Sequence, residues 1–96
     1  MTNHDDIVVL MMPAFKQRYK KLRPKQKTSV NEAVEVIKAD PLAGAQKKGD
    51  FSEVYVYKFD CAGQQSLLAY EFDSETRVLL ALGVHENFYR DLKRSI

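Results

Sequence analysis

The side chains best suited to moving protons gather near the end of the chain, where a hydrophobic run gives way to Gly83, Val84, His85, Glu86, Asn87, Phe88, Tyr89 and Arg90. An unperturbed imidazole titrates near pH 6.5, so His85 can accept or donate a proton at cellular pH. Tyr89 follows one helical turn later, where it can face the same bound group, and Arg90 adds a permanent cation beside it. The spacing also fits a second role. On a helical wheel His85 lies within about 60° of Phe88, Leu92 and Ile96, and Tyr89 within about 60° of Leu92 and Ile96, so both also read as core residues with hydrogen-bonded tips.

Other chemistries lack their residues. The chain has no glycine-rich phosphate loop, no serine nucleophile motif and no carboxylate cluster of the kind that holds magnesium. Cys61 is the single cysteine, which rules out an intramolecular disulfide, and no Cys/His cluster has zinc spacing. Cys61 is expected in a turn, as an unreactive thiol in a reducing cytoplasm. The apolar run 7–12 is too short to span a bilayer, and Asp5 and Asp6 stand where a signal peptide would be basic. A cytoplasmic protein without a membrane partner is expected.

Charge is unevenly spread. Lys16, Arg18, Lys20, Lys21, Arg23, Lys25 and Lys27 fall in a stretch that holds no acid, so the rest of a chain of net charge +2 carries −5. Such segregation suits an anionic partner, either a nucleic acid or an acidic protein, and equally suits a solvated helix face.

The elements that must position these groups follow from periodicity. At 96 residues, 45% hydrophobic and 29% charged, the sequence describes one globular domain, 1–96. It can bury roughly 60 to 65% of its unfolded surface, enough for a core and a shallow groove. Residues 7–10 predict a first strand, and Pro13 opens a helix whose Phe15, Tyr19 and Leu22 form an apolar stripe until Pro24 interrupts it. Ser29 and Glu32 have capping-box spacing, predicting a second helix with Val30, Ala33, Val34 and Ile37 on one face and its end before Pro41. Together these helices make a hairpin.

From residue 51 the period changes to two, with Val54 and Val56 on one face and Tyr55, Tyr57 and Phe59 on the other. Strands 51–60, 65–72 and 77–84, joined by short turns, predict an antiparallel meander, and 85–96 a last amphipathic helix. The order β-α-α-β-β-β-α segregates helices from a largely antiparallel sheet, an α+β class.

The stretch GVHENFYRDLKR after a hydrophobic strand resembles the closing motif of the RelE/ParE superfamily of bacterial type II toxins. PAFKQRYKKL, the segment 40–44, Lys47 and Lys48 before Gly49, and YKFDCAGQQSLLAYEF are similar to that family in the same order, so the likeness covers nearly the whole chain. The family's fold is the β-α-α-β-β-β-α order read above. The resemblance implies either a RelE-like endoribonuclease that cuts mRNA, commonly on the ribosome and without metal, or a ParE-like poison of DNA gyrase. It implies neutralisation by an antitoxin, and no cofactor.

RNA cleavage by attack of a ribose 2′-OH on the adjacent phosphate needs a base, an acid for the leaving oxygen and cations for the phosphorane charge. The resemblance implies a role in cleavage for Tyr89 and aligns Lys58 with a basic strand position, leaving His85, Tyr89, Lys58 and Arg90 as the catalytic set. Lys47, Lys48, Arg77, Lys93 and Arg94 are then expected to bind RNA, and Lys16, Arg18, Lys20, Lys21 and Arg23 the antitoxin. RelE-like nucleases carry more strand cations, where this chain has Val56, Gln65 and Ser66. His85 stands where well-known members carry Lys or Arg. Gyrase inhibition, or a non-catalytic module that binds its antitoxin, therefore stays open. Lys58, on the Val54 and Val56 face, also fits a lysine that snorkels to solvent, and Lys47 and Lys48 a merely solubilising loop.

Overall fold

A computed structural model describes residues 6–46 and 53–84. Strand β1 (Val8–Met11) leads into helix α1 (Pro13–Lys20), which Pro13 starts from its first position, and helix α2 (Pro24–Ala39) follows directly. Strands β2 (Ala45–Gln46), β3 (Tyr55–Cys61), β4 (Gln64–Phe72) and β5 (Thr76–Gly83) complete a five-stranded sheet in the order β1-β5-β4-β3-β2. β1 is parallel to β5 and every other pairing is antiparallel. The α+β architecture and the β3-β4-β5 meander agree with the periodicity. The expected last helix, 85–96, lies outside the described residues.

Two expectations are corrected. Pro24 does more than interrupt α1: it is the first residue of α2, five positions before the expected cap at Ser29. The N–H of Arg23 donates to Gln26 Oε1 at 2.9 Å, while Ser29 sits inside the helix with its hydroxyl donating to Lys25 O. Proline at the first helical position has no N–H to leave unpaired, which is why the helix starts there. The expected order has four strands, and the short strand β2 adds a fifth. It forms because its two residues pair with Val56 and Tyr55 on the edge of β3.

The sheet is apolar on both faces. Phe15, Val30, Ala33 and Ile37 of the helices pack against Cys61, Leu68, Tyr70, Leu79 and Leu82, with Tyr55, Tyr57 and Phe59 alongside. The opposite face buries Val54, Val56, Leu67, Ala69, Leu80 and Ala81. A β-bulge makes that second cluster possible. Ala69 pairs with Ala81 and Tyr70 with Leu79, so Leu80 has no partner, and Leu80 and Ala81 both join the second face. At the β3–β4 turn, Ala62 and Gly63 both have positive φ, 53° and 92°, the pattern of a two-residue hairpin whose twist matches its strands.

One side chain fixes the chain between α2 and β3. The Tyr70 hydroxyl donates to Pro41 O at 2.6 Å and accepts the Gly44 N–H at 3.0 Å, and a Cβ on Gly44 would stand 2.7 Å from that oxygen. Burial raises the pKa of the phenol, so it stays a donor. Tyr70→Phe leaves the buried Gly44 N–H unpaired and is expected to cost about 1 to 3 kcal/mol, measured by denaturant unfolding. An unchanged midpoint would show that the loop does not depend on this bond.

Candidate functional site at the end of the sheet

Strand alternation places Lys58 opposite Leu67, and Leu67 opposite Gly83, in one cross-strand row. All three share the face of Val56 and Ala69 rather than the helix face, and Lys58 is exposed. With strands about 4.8 Å apart, the Lys58 backbone lies about 10 Å from that of Gly83, two residues before His85. A lysine side chain spans much of that gap. The sequence-derived position of Lys58 beside Val54 and Val56 therefore puts an exposed ammonium, without a described carboxylate partner, in the cross-strand row that ends at Gly83.

His85, Tyr89, Arg90, Lys93 and Arg94, with Lys47 and Lys48, lie outside the described residues. Of the strand positions without a cation, Val56 is buried in the second apolar cluster and Gln65 is exposed. Ser66 points the other way: it pairs with Phe59 and lies beside the Cys61 thiol on the helix side. Cys61 itself closes β3 rather than sitting in the turn, because the turn needs only Ala62 and Gly63. Burial pushes its pKa up and the thiol lies 3.5 Å from Gln26 O, so it is a protonated, packed sulfur.

Arg77, expected to bind RNA, lies buried between the end of α2 and the β4–β5 turn. It is 3% exposed, and its Nε donates to Ile37 O at 2.8 Å and its Nη2 to Lys38 O at 3.0 Å, both at the C-terminal end of α2. Nη1 donates to Asp73 O and Thr76 O in the β4–β5 turn, at 2.7 and 3.1 Å. The guanidinium also lies 5.7 Å over the Phe72 ring. Donors committed to four carbonyls leave little for a phosphate. The signal was present in the sequence: Arg77 has the inward parity of Leu79, and a charged residue at such a position must be fully paired.

The cations of the helical hairpin are deployed outward. Lys16, Arg18, Lys20, Lys21, Arg23 and Lys25 are exposed, Lys27 lies 5.5 Å from the Tyr19 ring, and Tyr19 donates across the hairpin to Asn31 Oδ1. Among the described residues the one ion pair, Lys38 with Glu35 at 3.0 Å, lies outside this segment. Beside the hairpin, Val9, Met11, Phe15, Tyr19, Val34 and Leu79 line an apolar groove of about 290 Å³ next to β1. β1 is an edge strand of the sheet, and Val8, Leu10 and Met11 on it are 53%, 51% and 42% exposed.

Residues 9–93 match the family model of the ParE-like toxin of type II bacterial toxin-antitoxin systems. The chain belongs to this family. Among solved structures this ParE-like toxin is similar to a mutant of the E. coli toxin RelE in the free state, with a TM-score of 0.73 and 14% identity over 95% of this chain and 98% of that one. It is also similar to the toxin-antitoxin complex RelBE2 of Mycobacterium tuberculosis, with a TM-score of 0.71 and 19% identity over 83% and 92% of the two chains. For the intact E. coli RelBE toxin-antitoxin complex the TM-score is 0.67 and the identity 16%, over 83% and 98%. At these identities the likeness is one of fold. No curated protein sequence matches the chain.

The role of Arg77 in the toxin can be checked directly. Arg77→Met removes the donors to four carbonyls and is expected to cost about 2 to 3 kcal/mol of stability. RNA affinity per folded molecule should stay within about twofold. A variant with normal melting temperature and weakened RNA binding would return Arg77 to the binding surface.

Proposed function

We propose that this toxin is an mRNA endoribonuclease that cuts without a metal ion, on the ribosome, and is held in check by a protein antitoxin. The observation that carries the reading is the exposed Lys58, in one cross-strand row with Gly83 at the strand end that leads to His85. A lysine there supplies charge to a phosphorane, while a histidine and a tyrosine exchange the protons of the 2′-OH and the leaving oxygen. Arg90 is a second phosphate partner. Lys47, Lys48, Lys93 and Arg94 would hold the flanking RNA.

A second reading, inhibition of DNA gyrase without RNA cleavage, is favoured by a specific observation. The matching family is ParE-like, and Val56 and Gln65 leave Lys58 as the cation on its face of the β3–β4 pair among the described residues.

For the antitoxin, the support is the union of basic and apolar surface. The cations Lys16, Arg18, Lys20, Lys21 and Arg23 are exposed on the hairpin whose Phe15, Tyr19 and Val34 line an apolar groove, next to an outer strand edge that no described residue pairs with. A segment carrying carboxylates and apolar side chains complements both, and two of the similar solved structures are toxin-antitoxin complexes.

Two experiments test this. Cleavage of RNA should survive EDTA where the ribosomes are kept intact by other means, and His85→Gln, Tyr89→Phe and Lys58→Ala should each lower it by on the order of 10² with the melting temperature retained. Loss of stability with full cleavage per folded molecule would make His85 and Tyr89 packing residues, and gyrase inhibition without any RNA cleavage would give the function to the second reading. Separately, the association rate with the antitoxin should fall by about tenfold or more from low to high salt, and reversing several charges within residues 16–27 should abolish that dependence. Unchanged rate and affinity would remove the hairpin from the interface.

A further inference from the structure

We propose that the notch at the end of the sheet, between the helical hairpin and the β4–β5 end, binds one nucleotide of an RNA strand through its phosphate. The proposal rests on the RNA reading above and adds a site on the face opposite Lys58. The notch has a volume of about 240 Å³ and lies among Arg18, Lys21, Gln26, Gln64, Ser66 and Leu82, with Cys61 at its base.

Its polar groups are biased toward donation. Arg18 and Lys21 are exposed cations without a described carboxylate partner. Gln26 spends its amide oxygen on the Arg23 N–H, which leaves its NH2 to donate. The Ser66 hydroxyl makes a long 3.4 Å contact to Gln64 O and a hydrogen bond with the Cys61 thiol. No described acid lines the notch. Asp60, beside Cys61 in sequence, alternates to the other face of β3 and accepts the Gly63 N–H at 3.0 Å. A concave, acid-free set of donors selects an anion.

The rest of the lining selects what the anion is attached to. Leu22, Val30 and Leu82 give the notch an apolar wall fit for a sugar or base, and the Gln64 amide is a donor and acceptor of the kind that reads base edges. Position ties it to the candidate cleavage face. Ser66 precedes Leu67, the residue between Lys58 and Gly83 in their cross-strand row, so the notch and the Lys58 ammonium sit at the same end of the sheet on opposite faces. A strand of RNA that crosses this end contacts both.

The test uses the full chain and a fluorescent 2′-O-methyl RNA hexamer, which lacks the hydroxyl needed for self-cleavage. Gln26→Glu keeps an acceptor for the Arg23 N–H while placing a carboxylate in the notch. Gln17→Glu makes the same charge change on an exposed position of α1 that does not line it. Arg18→Gln and Lys27→Gln form a second matched pair. Anisotropy titration should show Gln26→Glu and Arg18→Gln each weakening RNA binding about tenfold, and Gln17→Glu and Lys27→Gln no more than about threefold, at equal melting temperatures.

Equal losses in both members of each pair would overturn the proposal, since only the overall charge would then matter. Loss of antitoxin binding alone, with RNA affinity unchanged, would also overturn it and make the notch a carboxylate site. Inorganic phosphate competing as well as a nucleoside 3′-monophosphate would reduce it to a phosphate site and overturn the nucleotide assignment. Paired losses in a protein that never cuts RNA support the notch while removing the nuclease reading.

Discussion

A guanidinium buried between a helix end and a hairpin turn holds the two layers of this toxin in register. Arg77 projects from β5, takes two carbonyls at the negative end of the α2 dipole and two in the turn that joins β4 to β5. Burial alone would disfavour this charge, and it is tolerated because the carbonyls replace the lost water. The contact sets where α2 ends over the sheet. Through the Tyr19–Asn31 bond between the helices it also sets where α1 and its cations stand. Asp73 completes the turn from the other side, accepting the Glu75 and Thr76 N–H groups at 2.8 Å each. These bonds, the Glu75 one foremost, hold its carboxyl below the usual range, so its contribution to stability is present above the ordinary Asp pKa and is lost as pH falls through the lowered one.

The bulge at Leu80 has a comparable reach. Without it, strict alternation along β5 would send Ala81 and Gly83 to the helix face with Leu79. With it, Leu82 packs toward the helices and Gly83 joins Leu67 and Lys58 on the opposite face. A single unpaired residue thus decides that the end of β5 shares a face of the sheet with the exposed Lys58. Bulges recur beside functional sites because they re-aim a strand end in this way.

The periodic parts of the structure were legible in the sequence. Phe15, Tyr19 and Leu22 at helical spacing, the two-residue alternation of Val54 to Phe59, Pro13 as a helix start and Pro41 as a stop each follow from local geometry. What local geometry does not encode was missed. The start of α2 was misplaced because Ser29 and Glu32 mimic a cap that Pro24 pre-empts. β2 exists only through pairing with Val56 and Tyr55. The run Val78 to Leu82 is continuously apolar, so no alternation reveals where its bulge lies. The parity of Arg77 marks it as inward, but composition does not show that its donors are matched by helix-end carbonyls forty residues earlier in the chain. The exposed face of Lys58 follows from strand parity, whereas the notch, assembled from both helices and three strands, has no signal in the sequence.

Among the described residues, no acid is placed to neutralise the charge of the hairpin. The carboxylates nearest the turns are occupied locally: Asp40 accepts the Leu42 N–H, Asp60 that of Gly63, and Asp73 those of Glu75 and Thr76. Each acid stabilises its own turn, where a short side chain competes well for backbone donors. None is thereby placed to neutralise residues 16–27. Seven cations within residues 16–27 repel one another, and solvent screening makes that repulsion tolerable rather than absent. An anion that binds there gains from every neighbouring cation at once. An acidic antitoxin and an RNA phosphate at the Arg18 and Lys21 notch would draw on the same field, so occupation by one raises the cost of the other without any contact at Lys58.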